Sequence, residues 1–284
     1  MSASTLGKSI FFIGAGSMAE AIIKGLVTSA IIAPQQIYVT NQKNHDRLVE
    51  LREKYGVELA SSIQQGCELA DVIVLAVKPW AIKDVTTELA AFLNNQQILI
   101  SVAAGITTEI IETIIKQEIP VIRTMPNTSS AICESATGIC KGKYVNAETL
   151  HIAEKIFETI GKVAVVEESQ MDAVTGLSGS GPAYIYYLIE GMEKAGVEAG
   201  LSQEVSRELV VQTVYGAAKM LLETKAEPAI LRQQVTSPNG TTAAGLQKLE
   251  DNQFHDILYA AVARAKERAG EIGKELEATL WNTK

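Results

Sequence analysis

Ser9-Ile10-Phe11-Phe12-Ile13 runs straight into Gly14-Ala15-Gly16-Ser17-Met18-Ala19 and then into the helical pattern Glu20 to Leu26. An apolar run, a G-x-G-x-x-A turn and a helix in that order form a dinucleotide fingerprint. Gly14 permits the tight turn, Gly16 lets backbone amides approach a pyrophosphate, and Ala19 allows the helix to pack closely on the strand. Ala15, Ser17 and Met18 complete a loop whose helix turns its free N–H groups and positive dipole end toward phosphate. The same turn can occur with no ligand, but its place after a first strand favours the binding role.

Outward from the fingerprint, β-branched runs alternate with helical patterns: Gln36 to Val39, Asp71 to Val77, Gln97 to Val102, Pro120 to Thr124 and Lys162 to Val166. Several are apolar throughout, as strands are when helices cover both faces of a parallel sheet. The expected fold class is therefore α/β, a Rossmann-type doubly wound parallel sheet over residues 1–166. Beyond about Glu168 helices are expected at Asp172 to Leu177, Pro182 to Gly200, Gln203 to Glu223, Ala229 to Val235, Thr241 to Glu250 and Phe254 to Ala278, which makes 167–284 an all-α domain. The helix after Pro182 is apolar around most of its circumference, from Tyr184 through Ile189 to Gly196. Such a helix needs burial on every side, either as a central core helix or at a subunit interface.

With 284 residues and 47% hydrophobic content the chain is long enough for two cores. Lys and Arg number 25 against 33 Asp and Glu, a net charge of −8, which disfavours nucleic acid and anionic membrane as partners. Cys67, Cys133 and Cys140 are widely spaced and form no C-x-x-C pair, so neither a disulfide framework nor a zinc site is expected, and the reading is a cytoplasmic protein without metal. The apolar runs are too short for a membrane span or a signal peptide.

The end of the second strand bears on the cofactor. An NAD site usually has a carboxylate there, which would repel a 2′-phosphate. This chain reads Thr40-Asn41-Gln42-Lys43, with Arg47 close by. A neutral Asn41 beside two cations favours NADP(H), with NAD(H) the second candidate; Lys43 and Arg47 are otherwise ordinary solvated charges opening a helix. Ala76-Val77-Lys78-Pro79 and Ala103-Ala104-Gly105 end two further strands and should face the cofactor crevice, and Arg123 to Thr128 ends the sixth strand at the same edge, with Asn127 a candidate substrate contact.

Two segments of the second domain stand out. Gly176 to Tyr184 is rich in glycine, and Val235 to Leu246 places Ser237, Gly240, Thr241 and Thr242 at a helix entry. Backbone amides and hydroxyls there suit a small anion, or simply a well-capped helix start. His45, His151 and His255 are isolated, and no nucleophile–base arrangement is apparent, so the chemistry falls to the cofactor.

The fingerprint, Ala76 to Pro79, Arg123 to Thr128, Gly176 to Tyr184 and above all Ser237-Pro-Asn-Gly-Thr-Thr resemble pyrroline-5-carboxylate reductase, in order and over nearly the whole chain. The resemblance implies a Rossmann domain followed by an interlocking helical dimerisation domain, a homodimer sometimes built into decamers, and reduction of 1-pyrroline-5-carboxylate to L-proline, the last step of proline biosynthesis. It turns the Ser237 to Thr242 segment into a substrate site, with the amides near Gly240, Thr241 and Thr242 holding the carboxylate and the Thr242 hydroxyl meeting the ring nitrogen. Ser129 and Asn239 depart from the family pattern, which often has proline and glycine at these places. A β-hydroxyacid dehydrogenase would need a lysine and an asparagine where Ile185 and Ile189 stand, and an apolar pair transfers no protons. A non-catalytic dinucleotide-binding paralogue is the other alternative.

Overall fold

The computed structural model describes residues 6–282; the outer limits of the expected domains, residues 1–5 and 283–284, lie outside the described residues. Strand-forming runs in the N-terminal half assemble into one sheet of β1 (Ile10–Ile13), β2 (Ile37–Thr40), β3 (Glu58–Leu59), β4 (Val72–Leu75), β5 (Ile98–Ser101), β6 (Val121–Met125), β7 (Ser135–Lys141) and β8 (Gly161–Val165). Their spatial order is β3-β2-β1-β4-β5-β6-β7-β8. Every pairing is parallel except β6 with β7.

The unbroken apolar runs have the expected cause. Along β1, Ile10 and Phe12 join a core with α1 (Ser17–Thr28), α2 (His45–Tyr55) and the later α6 (Ala147–Glu158). Phe11 and Ile13 point the other way, into a core with α3 (Ile63–Leu69), α4 (Ile82–Ala90) and α5 (Thr108–Ile115). Successive side chains of a strand leave by opposite faces, so a strand covered on both sides must be apolar at every position. Each fully buried Ile or Phe contributes about 1.5–3 kcal/mol to folding.

Two strands were not expected from the pattern. β3 has only two residues, and β7 reads Ser135-Ala-Thr-Gly-Ile-Cys-Lys141, with hydroxyls at positions that turn out to be buried. Ser135 and Thr137 satisfy one another across 3.0 Å, and Ser135 Oγ also accepts from the Asn127 amide at 3.1 Å. Pairing therefore makes these polar residues tolerable inside.

Past β8 the chain forms α7 (Met171–Val174), widens into a π-helical turn at Thr175–Gly179, and continues as α8 (Gly181–Glu198). Helices α9 (Gln203–Thr224), α10 (Pro228–Gln234), α11 (Thr241–Asp251) and α12 (Phe254–Asn282) follow. Ser202 caps α9 by accepting from the Val205 amide, and Pro228 opens α10. By compactness the chain divides into one unit of residues up to Ser180 together with those from Arg264 on, and another of Gly181–Ala263. The expected boundary at 166/167 corresponds to the end of the last strand. Within 181–263 only Ser206 and Val210 are buried, and α8 has no buried residue at all, so α8 is not the central core helix of its own chain.

Candidate active site

The fingerprint lies where the order of strands reverses, between β1 and β4, the place where open α/β sheets bind ligands. Gly14 takes φ of +109°, and a Cβ there would collide with the Ala76 carbonyl, which packs directly behind the loop. Only glycine serves at this position. Gly16 is the N-cap of α1, with no side chain capping the helix and open space where a Cβ would stand. Ala15 and Ala19 are buried and Ser17 is exposed, while Met18 is partly buried against the core. Uncapped first-turn amides beneath open space suit a pyrophosphate, so these residues fit a dinucleotide.

The flanking loops gather at the same edge of the sheet. Ala76 and Val77 are partly covered, Lys78 is exposed, and Pro79 opens a short 3-10 turn, Pro79–Ala81. Ala103 is buried, Ala104 exposed, and Gly105 has φ of +77°. Asn127 is buried at the end of β6: its Nδ2 donates to the Ser178 carbonyl at 3.0 Å and its Oδ1 accepts from the Ser129 amide at 3.1 Å. Asn127 thus ties the strand end to the π-helical turn, a feature that recurs at functional sites.

At the ribose edge, Asn41 Oδ1 accepts from the Lys43 amide at 3.1 Å, closing a turn after β2. Arg47 does not stand free beside it. Its guanidinium donates to the Ala15 carbonyl at 3.2 Å, to Glu20, and to Glu50 at 2.7 Å. Glu20 also receives Lys54 and Tyr55, each at 2.9 Å. Burial alone would raise the Glu20 carboxyl, but donation from Lys54, Arg47 and Tyr55 brings it down to about 2. Of the two cations expected near a 2′-phosphate, Arg47 is therefore already paired, while the Lys43 ammonium makes no ion pair among the described residues.

A second charged cluster escaped the sequence reading. Arg123 on β6 is 3% exposed and pairs with Glu168, which also accepts from the Thr108 amide at 3.1 Å, the Thr108 hydroxyl at 3.0 Å and the Cys140 thiol at 3.3 Å. Burial pushes the Glu168 carboxyl up, yet Arg123 and these donors outweigh it and hold it below the ordinary carboxylate value. The cluster joins β6, β7 and the start of α5 to the turn that follows β8. Arg123 was visible as part of a motif, but nothing local pointed to a partner 45 positions away.

The Ser237 to Thr242 turn lies in the helical unit. Gly240 is the N-cap of α11 and makes no side-chain cap; the Gly240 amide returns to the Ser237 carbonyl at 3.0 Å. Among the described residues the hydroxyls of Ser237, Thr241 and Thr242 have no hydrogen-bond partner, and Thr241 and Thr242 are exposed. A turn that served merely to cap a helix would spend a hydroxyl on it. Asn239 has φ of +57°, the left-handed conformation that asparagine tolerates best after glycine, which is how the chain absorbs that departure.

A glycine cradle at the switch point of a Rossmann sheet defines a dinucleotide-binding protein, and the relatives place it among the NAD(P)H-dependent oxidoreductases. Residues 9–105 match the family model for NADP oxidoreductase, coenzyme F420-dependent, and residues 168–272 match that for pyrroline-5-carboxylate reductase dimerisation. Pyrroline-5-carboxylate reductase 1 of Bacillus subtilis is 47% identical over 96% of this chain and 92% of its own length. The structure of a pyrroline-5-carboxylate reductase from Coxiella burnetii superposes with a TM-score of 0.89 at 40% identity, covering 95% of this chain and 98% of that one. That of the Plasmodium falciparum enzyme with NADP bound gives 0.82 at 30% identity, covering 95% and 99%. The chain belongs to the pyrroline-5-carboxylate reductase family.

Proposed function

We propose that the protein reduces 1-pyrroline-5-carboxylate to L-proline with NADPH, NADH serving as the weaker alternative donor. The observation that carries the substrate role is the α11 entry, where the amides of Thr241 and Thr242 and the hydroxyls of Ser237, Thr241 and Thr242 make no hydrogen bond among the described residues. The amides of Thr241 and Thr242 suit the carboxylate, with Ser237 beside them and Gly240, whose own amide is given to the Ser237 carbonyl, shaping the turn; the Thr242 hydroxyl suits the ring nitrogen. Asn127, through its second Nδ2 hydrogen, is assigned to the substrate as well. The dinucleotide rests on Gly14 to Ala19, Asn41, Ala76 to Pro79 and Ala103 to Gly105.

When bound, the reduced nicotinamide supplies a hydride to C5 of the cyclic imine. Protonation of the ring nitrogen makes that carbon electrophilic, and the protein's own contribution is to hold the carboxylate, orient the ring and exclude water. Residues 167–284 are assigned as the dimerisation and substrate domain, with the homodimer as the working unit and a decamer as its larger assembly. No helix among the described residues is long and apolar enough to cross a membrane, and the three cysteines are free thiols. We assign the protein to the cytoplasm, with no nucleic-acid or membrane partner. The test is oxidation of NADPH followed optically with 1-pyrroline-5-carboxylate as acceptor. Turnover yielding proline is expected; dinucleotide binding without turnover would make the protein a regulatory module instead.

A further inference from the structure

Arg47 sits on the first turn of α2, yet its side chain reaches the fingerprint. The Ala15 carbonyl precedes the N-cap Gly16, so it lies outside the helical ladder of α1, in a residue only 3% exposed. Such an acceptor needs a partner, and Arg47 Nε supplies it at 3.2 Å. The remaining edges of the guanidinium fork are taken by Glu20 and Glu50. Its backbone is held too: Asn44, the N-cap of α2, accepts from the Arg47 amide at 3.0 Å. A further bond, from the Gly14 amide to the Thr40 carbonyl at 2.9 Å, joins the same two loops from the strand side.

We propose that Arg47 is a positioning residue that locks the pyrophosphate loop, residues 14–17, and the ribose-edge loop, residues 40–44, into one rigid cradle, and that it is not a partner of the 2′-phosphate. The inference rests on the dinucleotide reading above. A dinucleotide spans both loops, so its affinity depends on their being held in register before it arrives; loops that must be ordered on binding weaken it. Glu20 acts as the anchor on the far side, because its three donors, Arg47, Lys54 and Tyr55, come from α2 and fix the guanidinium plane. Each nitrogen of the anchored guanidinium already has an oxygen in contact, from Ala15, Glu20 or Glu50, whereas the Lys43 ammonium makes no ion pair among the described residues, which makes Lys43, with Asn41, the better candidate to face a phosphate.

The experiment compares dissociation constants of NADPH and NADH, by calorimetry on the cofactor-free protein, for the wild type, Arg47→Met and Glu20→Gln, alongside melting temperatures of the same samples. Arg47→Met should weaken both dinucleotides alike, by about tenfold, the factor that one charge-assisted hydrogen bond commands. The ratio of the two constants should stay within about twofold of the wild type, as expected when the lost group touches neither ribose substituent. A loss confined to NADPH would make Arg47 a 2′-phosphate partner and overturn the proposal, and so would two unchanged constants. If Arg47→Met does not fold, Glu20→Gln decides: a parallel loss for both dinucleotides supports the lock, whereas tighter NADPH binding alone would mean that the released guanidinium reaches the phosphate. A wild type that binds neither dinucleotide would overturn the cofactor reading itself, and with it this role for Arg47.

Discussion

The unit built on the sheet and the helical unit solve opposite problems with similar composition. In the first, β1, β4 and β5 are buried at all four positions and two apolar clusters fill the space between sheet and helices. In the second, Tyr187 is 79% exposed and Tyr259 77%, and Leu222 and Val235 are exposed as well. Exposed apolar side chains on this scale mark a surface awaiting a partner. The sheet unit carries its own core, whereas residues 181–263 bury almost nothing within the chain, in keeping with the match to the dimerisation model over 168–272.

The hardest blow to that contrast would come at α8. If the exposed face of α8 forms the subunit contact of a symmetric dimer, Tyr187→Glu should bury an unpaired charge there twice, at a cost of several kcal/mol for each copy. Light scattering should then show subunits in place of the assembly, and the helical unit should melt first. A Tyr187→Glu protein that keeps its mass and melting temperature would mean that the exposed face has another purpose.

Next in size is a change inside the self-sufficient unit. Glu168→Ala leaves Arg123 as a buried charge without its carboxylate and should cost about 3–5 kcal/mol, seen as a lower melting temperature with the assembly intact. The same carboxyl makes stability depend on pH. Its folded-state pKa lies below the unfolded value of about 4.3, so the stabilisation is fully present above that value and is lost as pH falls through the lower, folded one. Acid titration of stability should flatten in this window for Glu168→Gln; an unchanged profile would remove the carboxylate from the account.

Smaller effects should fall on function alone. Thr242→Val removes an exposed hydroxyl that makes no hydrogen bond among the described residues, so melting should barely change. If that hydroxyl meets the ring nitrogen, kcat/KM should fall by about 1.5–3 kcal/mol, roughly tenfold to somewhat over a hundredfold. Normal kinetics with a lowered melting temperature would reduce the turn to a helix start. Smallest is Asn41→Asp, where a carboxylate near the 2′ position should move preference from NADPH toward NADH by about tenfold, some 1.4 kcal/mol. An unmoved ratio of the two kcat/KM values would place the 2′ site elsewhere.

Much of this was legible along the chain because it depends on neighbours in sequence. The fingerprint, the all-apolar strands and the run of helices after Glu168 follow from a few adjacent residues and the geometry they permit. The antiparallel β7 was hidden because its buried Ser135 and Thr137 break the apolar pattern and become tolerable only through bonds made across the fold. For α8, periodicity left a core helix and an interface helix equally open, and only burial in the folded chain separated them.

By itself the sequence determined the α/β class, the dinucleotide loop and the α11 turn, since backbone conformation and helix ends are governed by contacts within a few residues. Tertiary structure decided the rest: that Arg47 serves Ala15, Glu20 and Glu50, that Arg123 meets Glu168, and that Asn127 is bound to the π-helical turn. Hydrogen bonds and ion pairs act over a few ångströms of space whatever the separation along the chain, so the role of a charged side chain follows from what the fold sets against it.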